Sequence, residues 1–277
     1  MKIGAVMFFT TDSMRPAPLA LELERRGFES LWVPEHTHIP SSRKTAYPAG
    51  GGLIQPYYEI MDPFLVLNAA ATVTTKLKVG TGIALVIQRD PIITAKEVAT
   101  IDQLSEGRFI FGVGNGWNQD EIENHGTAFK TRHKLARERI EAMKAIWTME
   151  EPEYHGEFVK FDKMKMWPKP YQKPHPPIIV GGRLEYAAKR AFRYGDGWIP
   201  RDDWLETDGV ESIHTFRKMA ADAEGDALSP LQIAGEALDQ LAAGMGQIGT
   251  EALHRPLAAP AEAVPDLRAR RRCWFSD

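Results

Sequence analysis

The sequence Arg-Phe-Ile-Phe-Gly-Val-Gly-Asn-Gly-Trp, residues 108–117, decides how this chain is expected to fold. Its apolar first half predicts a buried strand, and the strand ends in a Gly-x-Gly-x-Gly turn that leads to Trp117. Glycines at such a point permit positive φ and let a planar or phosphorylated ligand approach the backbone. A tight turn without a ligand explains the same glycines equally well. The spacing differs from the Gly-x-Gly-x-x-Gly pattern of dinucleotide-binding turns.

Strand-like and helix-like segments alternate on both sides of this turn. We predict strands at 3–8, 30–33, 78–85, 109–113, 177–180, 197–199 and 231–234. We predict helices at 17–26, 62–73, 92–105, 133–147, 184–194, 210–223 and 237–248. Seven such units, with an eighth to close the ring, indicate an α/β fold of the (β/α)8 TIM barrel type. A doubly wound open sheet is the competing architecture.

Two insertions interrupt the alternation. The stretch His36–Met61, after the second strand, is too long for an ordinary connection and predicts a lid or entrance loop. The stretch Tyr154–Tyr171, before the fifth strand, predicts a small hairpin followed by a proline-rich connector.

Composition narrows the class of protein. With 277 residues, 43% of them apolar, the chain is expected to form one large domain, 1–277. A net charge of −3 argues against a nucleic-acid partner, and a single cysteine excludes an intrachain disulfide. No apolar stretch reaches the roughly 18 residues of a membrane helix. We therefore expect a cytoplasmic protein with a small-molecule substrate and without a membrane or nucleic-acid partner.

The residues after the second predicted strand are the candidates for proton transfer. They read Glu35-His36-Thr37-His38. A histidine near its ordinary pKa exchanges protons at neutral pH, so His36 is the candidate acid/base and Glu35 the candidate orienter. A structural histidine bonded to a backbone carbonyl is the alternative. A metal site on His36 and His38 lacks an identifiable third ligand, so no metal is expected.

Glycines mark two further strand ends as candidate binding sites. The fifth strand ends in Val180-Gly181-Gly182-Arg183, and a helix follows at once. Backbone N–H groups at a helix start suit a phosphate, to which Arg183 adds charge, although a plain turn is the alternative. The third strand contains Gly80 and Gly82, which indicate a bulge or a close approach of a ligand.

Several segments in register resemble the luciferase-like monooxygenase superfamily, and more narrowly its branch of oxidoreductases dependent on the deazaflavin coenzyme F420. They are Trp32–His36, Gly80–Ile83, Ala95–Arg108, Phe111–Trp117 and Pro174–Gly182. The resemblance covers roughly residues 1–250.

The resemblance implies a barrel of the bacterial-luciferase type with the cofactor at the carboxyl face, in a protein that is commonly a homodimer. It implies a cis peptide at Gly82–Ile83 behind the deazaflavin ring and His36 near the ring face. It also implies that Asn115, Gly116 and Trp117 contact the cofactor and that Gly181 and Gly182 hold its phosphate. Val180 and Arg183, which flank the two glycines, are further candidate cofactor-binding residues.

Two departures from the family pattern qualify these expectations. Relatives that oxidise sugar phosphates carry an acidic residue after the Gly-x-Gly of the fourth strand, where this chain has Trp117, which argues against such a substrate. The segment 253–277 contains Pro256, Pro260 and Pro265, which disfavour a closing strand and helix, so this tail is expected to be atypical.

The leading functional hypothesis is hydride transfer between F420 and a small organic substrate, with His36 as the proton-transfer group. An FMN-dependent monooxygenase on the same scaffold is the nearest alternative. A flavin-binding barrel that has lost catalysis is the second.

Overall fold

The structure, a computed structural model, describes residues 3–48, 50–200 and 209–224. Its strands are β1 (Gly4–Val6), β2 (Ser30–Val33), β3 (Lys78–Thr81), β4 (Ala84–Leu85), β5 (Phe109–Gly114), β6 (Tyr154–His155), β7 (Lys160–Phe161), β8 (Ile178–Gly181) and β9 (Gly197–Ile199). Its helices are α1 (Pro16–Arg25), α2 (Pro56–Glu59), α3 (Pro63–Ala71), α4 (Pro91–Leu104), α5 (Gln119–Asn124), α6 (Arg132–Thr148), α7 (Leu184–Tyr194) and α8 (Gly209–Glu224). Strands and helices therefore alternate as the sequence predicts.

The main sheet is parallel and has the strand order of a barrel. Its strands follow one another as β1-β2-β3-β5-β8-β9, and β4 also pairs with β5. A doubly wound sheet reverses its strand order at a switch point, and no reversal occurs among the described strands. The described residues thus form a parallel half-barrel, while the strand and helix expected at 231–234 and 237–248 lie outside them.

Helix starts follow from local sequence. Asp62 precedes Pro63, and one of its carboxylate oxygens accepts hydrogen bonds from the N–H groups of Phe64 and Leu65. Asp90 caps α4 in the same way, directly before Pro91. An aspartate cap followed by proline satisfies free N–H groups and fixes φ for the first turn, so these two helices begin where the sequence predicts.

The two faces of the parallel sheet bury different residues. Successive residues of a strand point to opposite faces. One face packs against the helices and forms the large core, to which Leu31, Phe111 and Val180 belong. A separate cluster contains Trp32, Ile110, Ile179 and Ile199. Because these residues come from β2, β5, β8 and β9, they form one inward-facing layer, as in the interior of a barrel.

The two predicted insertions are present. The connector between β2 and α3 contains only the short helix α2 among its described residues. The second insertion begins with β6 and β7, an antiparallel hairpin, which confirms that prediction. The segment 253–277, expected to be atypical, lies outside the described residues.

Candidate active site

Loops at the carboxyl ends of four strands bring together most of the predicted site residues. His36 follows β2, Ile83 lies between β3 and β4, Trp117 follows β5 and Gly182 follows β8. In barrels and in open α/β sheets, this edge of the sheet carries the ligand site.

The Ile83 side chain covers the glycines at two of these strand ends. The Gly82–Ile83 peptide bond is cis, as the resemblance implies. A Cβ on Gly114 would lie 2.0 Å from Ile83 Cδ1, and one on Gly181 would lie 2.8 Å from Ile83 Cγ2. The Ile83 side chain, and not a ligand, therefore occupies the space that these two glycines leave open. Gly116 has a φ of +64°, a conformation that the turn requires and that glycine adopts without strain.

His36 is bound by a carboxylate that lies 85 residues away in the sequence. Its Nδ1 is 2.7 Å from Oε2 of Glu121, at the start of α5. The other oxygen of Glu121 accepts a hydrogen bond from the Thr37 N–H at 3.2 Å. The side chains of His36 and Glu121 are 8% and 1% exposed, so water competes little for this contact.

Glu35 has a different role from the one expected. Its carboxylate accepts hydrogen bonds from the Arg89 guanidinium at 2.7 Å and from the Leu85 N–H at 2.6 Å. Arg89 also contacts Asp62 and Glu97. A buried carboxylate with these partners joins β2 to the β4–α4 connection. This corrects the expectation that Glu35 orients His36, because Glu121 holds that ring.

Aromatic rings surround His36. The Tyr57 ring centroid lies 5.3 Å from that of His36, and the Trp117 centroid lies 5.9 Å from it. Tyr47 contacts both Tyr57 and Trp117 at 5.5 Å, and the two tyrosine hydroxyl oxygens are 2.9 Å apart. The proton-transfer candidate therefore has a mainly apolar wall.

The segment 42–45 of the long loop is tied to the residues around α5. Asp120 accepts hydrogen bonds from the Ser42 hydroxyl and from the Lys44 N–H, both at 2.7 Å. The Thr45 hydroxyl donates to the Trp117 carbonyl at 3.1 Å and accepts from the Gln119 N–H at 3.1 Å. These contacts hold the loop across the carboxyl edge of the sheet.

A cationic cluster lies beside the turn after β8. Arg190 Nη1 and Asn115 Nδ2 both donate to His133 Nδ1, at 3.2 Å and 2.6 Å. Burial, followed by the charges of Arg132 and Arg190, lowers the pKa of His133 to about 4, so this imidazole is neutral at pH 7. A Cβ on Gly182 would lie 3.3 Å from Arg190 Nη2.

The two arginines of this cluster have unused hydrogen-bonding capacity. The Nε atoms of Arg132 and Arg190 are buried and have no hydrogen-bond partner in the part of the chain that the structure describes. Among the residues that the structure describes, neither guanidinium forms an ion pair. Arg132 donates to the Phe129 carbonyl at 2.7 Å and lies over the Phe129 ring, and Arg190 lies beside the glycine turn. Half-buried guanidinium groups that lack an ion-pair partner among the described residues are typical of a site for an anion.

Comparison with known proteins assigns the family. Residues 15–237 match the sequence profile described as luciferase-like monooxygenase. The chain belongs to this family. An uncharacterized protein of Mycobacterium tuberculosis is 45% identical over 208 residues, which is 73% of each chain.

Two solved structures share the fold and contain different cofactors. The oxygenating constituent of 3,6-diketocamphane monooxygenase from Pseudomonas putida, in complex with FMN, superposes with a TM-score of 0.64 at 19% identity, over 83% of this chain and 64% of that one. An F420-dependent secondary alcohol dehydrogenase, in complex with an F420–acetone adduct, superposes with a TM-score of 0.61 at 22% identity, over 79% and 64%.

Of the other residues expected to bind the cofactor in this luciferase-like chain, some lie at the site and others lie away from it. Asn115 and Gly182 lie at the cationic cluster, and Gly181 lies under Ile83. Val180 is 1% exposed and packs in the core between sheet and helices, so its side chain is not part of the site. Arg183 is exposed at the start of α7 and its side chain makes no capping hydrogen bond.

Sequence reasoning missed Glu121, Arg132, His133 and Arg190. Glu121 and Arg190 lie on helices, where a charged residue ordinarily indicates a solvated face, and no spacing rule connects them to His36 or Gly182. Within the described residues, no group of three or more His, Cys, Asp or Glu could hold a metal ion. No helix in that part of the chain is long and apolar enough to cross a membrane.

Proposed function

We propose that this protein is an F420-dependent oxidoreductase that transfers a hydride between the deazaflavin and a small organic substrate, on a closed (β/α)8 barrel. The observation that carries the proposal is the buried His36–Glu121 pair, which lies beside Tyr57 and Trp117 at the edge where barrel enzymes bind ligands. A buried proton-transfer group is what a hydride transfer coupled to a proton transfer requires.

The residues at the cationic cluster fit a phosphorylated cofactor. Arg132 and Arg190 offer buried N–H donors that no described residue uses, and Gly182 leaves room beside the Arg190 guanidinium. His133 adds no charge at neutral pH, and the Asn115 amide lies next to it. The cofactor phosphate is assigned to this cluster and its ring to the vicinity of Ile83 and His36.

The bound cofactor supplies the hydride acceptor or donor. His36 supplies the proton chemistry. If the substrate is an alcohol, Nε2 of His36 would take the hydroxyl proton as the carbon gives its hydride to the cofactor, which would leave a carbonyl group. In the reverse direction His36 returns this proton to the oxygen. Tyr57 and Trp117 give the substrate an apolar surface, which favours an uncharged molecule.

The loop 36–61 is proposed to exclude water from the reacting groups. Its contacts with Asp120, Trp117 and Gln119 hold it over the carboxyl edge. Excluding water protects a hydride in transfer and strengthens the His36–Glu121 interaction.

An FMN-dependent monooxygenase is the second candidate function. The specific observation in its favour is that one cluster holds two guanidinium groups, Arg132 and Arg190, which form no ion pair with any residue that the structure describes. The phosphate monoester of FMN carries up to two negative charges, whereas the phosphodiester of F420 carries one. The diketocamphane monooxygenase structure also contains FMN.

Parallel titrations with F420 and FMN test the proposal. Binding is followed by fluorescence quenching and by retention of the cofactor on desalting. Tighter binding of F420 supports hydride transfer by the deazaflavin. Tighter binding of FMN refutes F420 dependence in favour of the oxygenase, and binding of neither contradicts both functions and supports a barrel without catalysis.

A further inference from the structure

We propose that Glu121 is a positioning residue that fixes the tautomer of His36 and directs its Nε2 toward the substrate. The role assigned to Nε2 rests on the proposed function. The tautomer itself follows from geometry alone and is measurable without any ligand.

The hydrogen bonds of Glu121 determine which nitrogen of His36 carries a proton. A carboxylate only accepts hydrogen bonds, so the contact of 2.7 Å between Oε2 and Nδ1 requires a proton on Nδ1. The second oxygen is used by the Thr37 N–H, so the carboxylate is held from both sides. With 1% of its side chain exposed, Glu121 has no competing water shell.

The other nitrogen of His36, Nε2, has no partner among the described side chains and backbone groups. No residue in the described ranges hydrogen-bonds to its Nε2, and the ring lies between Tyr57 and Trp117. In the neutral ring with a proton on Nδ1, Nε2 carries the lone pair. Glu121 therefore presents a proton acceptor to the apolar wall where the substrate is expected.

The position of Glu121 is secured independently of His36. Its neighbour Asp120 receives hydrogen bonds from Ser42 and from the Lys44 N–H. Replacing the Glu121 carboxylate therefore changes the partner of His36 while α5 keeps its other contacts with the long loop.

The substitution Glu121→Gln makes a sharp prediction. The site has two donors, the Thr37 N–H and the His36 Nδ1–H, whereas an amide offers one oxygen and one NH2 group. With its oxygen toward the Thr37 N–H, the introduced amide would face Nδ1 with its NH2 group. Nδ1 would then accept a hydrogen bond, and the neutral ring would carry its proton on Nε2. Glu121→Gln is thus expected to reverse the tautomer of His36.

The experiment is ¹⁵N NMR of the full chain labelled at its histidine nitrogens, because protonated and unprotonated ring nitrogens have different shifts. The His36 signals are assigned by their loss in His36→Asn. They are compared in the wild type, Glu121→Gln and Glu121→Ala at a pH above the titration of His36 observed in the same spectra. Glu123→Gln is the matched control, because Glu123 also lies on α5 but contacts Lys44 and Gln119.

The expected result is a Nδ1–H tautomer in the wild type and in Glu123→Gln, a Nε2–H tautomer in Glu121→Gln and a mixture in Glu121→Ala. A Nε2–H tautomer in the wild type overturns the proposal, and so does an unchanged tautomer in both Glu121 variants. Circular dichroism and the shifts of the other histidines establish that each variant is folded.

Failure of this inference and failure of the proposed function give different results. If F420 and FMN both fail to bind but the tautomer reverses, the proposed function is wrong and the positioning by Glu121 stands. If a cofactor binds and the tautomer does not respond, the positioning is wrong and the proposed function stands.

Discussion

Gly112→Ala tests whether the fold depends on the close packing of β3 against β5. A Cβ on Gly112 would lie 1.9 Å from the carbonyl oxygen of Thr81 and 3.1 Å from its carbonyl carbon. Ordinary contacts are 3.4–4 Å, so the two strands must separate by about 1.5 Å. Both atoms belong to the backbone, so no side-chain rotation relieves the overlap.

The expected loss of stability follows from two effects. Overpacking costs about 1–3 kcal/mol, and separating the strands also weakens the hydrogen bond of 2.6 Å from the Thr81 hydroxyl to the Gly112 carbonyl, worth about 1 kcal/mol. We expect Gly112→Ala to lower the free energy of unfolding by about 2–4 kcal/mol. At roughly 2–4 °C per kcal/mol for a chain of this size, Tm falls by roughly 4–16 °C.

Gly114→Ala and Gly52→Ala are measured beside Gly112→Ala, as a milder overlap and as a control. At Gly114 the overlap is with Cδ1 of Ile83, the end of a side chain that can rotate, so a smaller loss of about 1–2 kcal/mol is expected. Gly52 has no atoms within 4 Å of its Cβ position and serves as the control. Urea unfolding followed by circular dichroism measures all three. If Gly112→Ala unfolds within about 1 kcal/mol of Gly52→Ala, the reasoning about this strand contact is refuted.

The remaining predictions concern charged groups. Arg190→Gln removes a charge-assisted hydrogen bond worth about 1.5–3 kcal/mol and should weaken binding of the preferred cofactor roughly 10- to 100-fold. The control is Arg193→Gln, which changes an exposed arginine on the same helix and should leave the Kd unchanged. Equal effects of the two substitutions on the Kd would contradict the assignment of the phosphate to this cluster. The pKa of His133 falls from 6.5 to about 4 on folding, so the unfolded chain binds more protons in that window and stability should decline as pH falls from 6.5 to 4. In His133→Gln, the free energy of unfolding measured in urea should change less between pH 6.5 and 4. If it changes as much as in the wild type, His133 is not the cause of the decline. Arg89→Met leaves the buried Glu35 carboxylate without its ion-pair partner and should lower the free energy of unfolding by about 3–5 kcal/mol. A decrease below about 1 kcal/mol would show that burial of Glu35 does not depend on Arg89.

The parts of the fold that depend on local sequence were predictable. Asp62 followed by Pro63 fixes a helix start through one cap and one ring, both visible in the sequence. Strand β5 was predicted from its apolar run and its terminal glycines within one residue of its observed end. The glycines were correctly interpreted as places of close approach, but the group that approaches Gly114 is Ile83.

The partners of the site residues were not predictable from the sequence. Glu35 is adjacent to His36 in the chain, but successive residues point in different directions, and Glu35 turns to Arg89. Glu121 reaches His36 only because the loops after β2 and β5 meet at one edge of the sheet. Such contacts depend on tertiary packing, which periodicity and local spacing do not encode.

A crystal structure of the protein with the cofactor that it binds more tightly is the most direct test of the central claim. The account predicts the phosphate within hydrogen-bond distance of the Arg190 guanidinium and the ring against Ile83, with Nε2 of His36 facing the space for the substrate. A phosphate away from Arg132 and Arg190, or a ring away from His36 and Ile83, would contradict it.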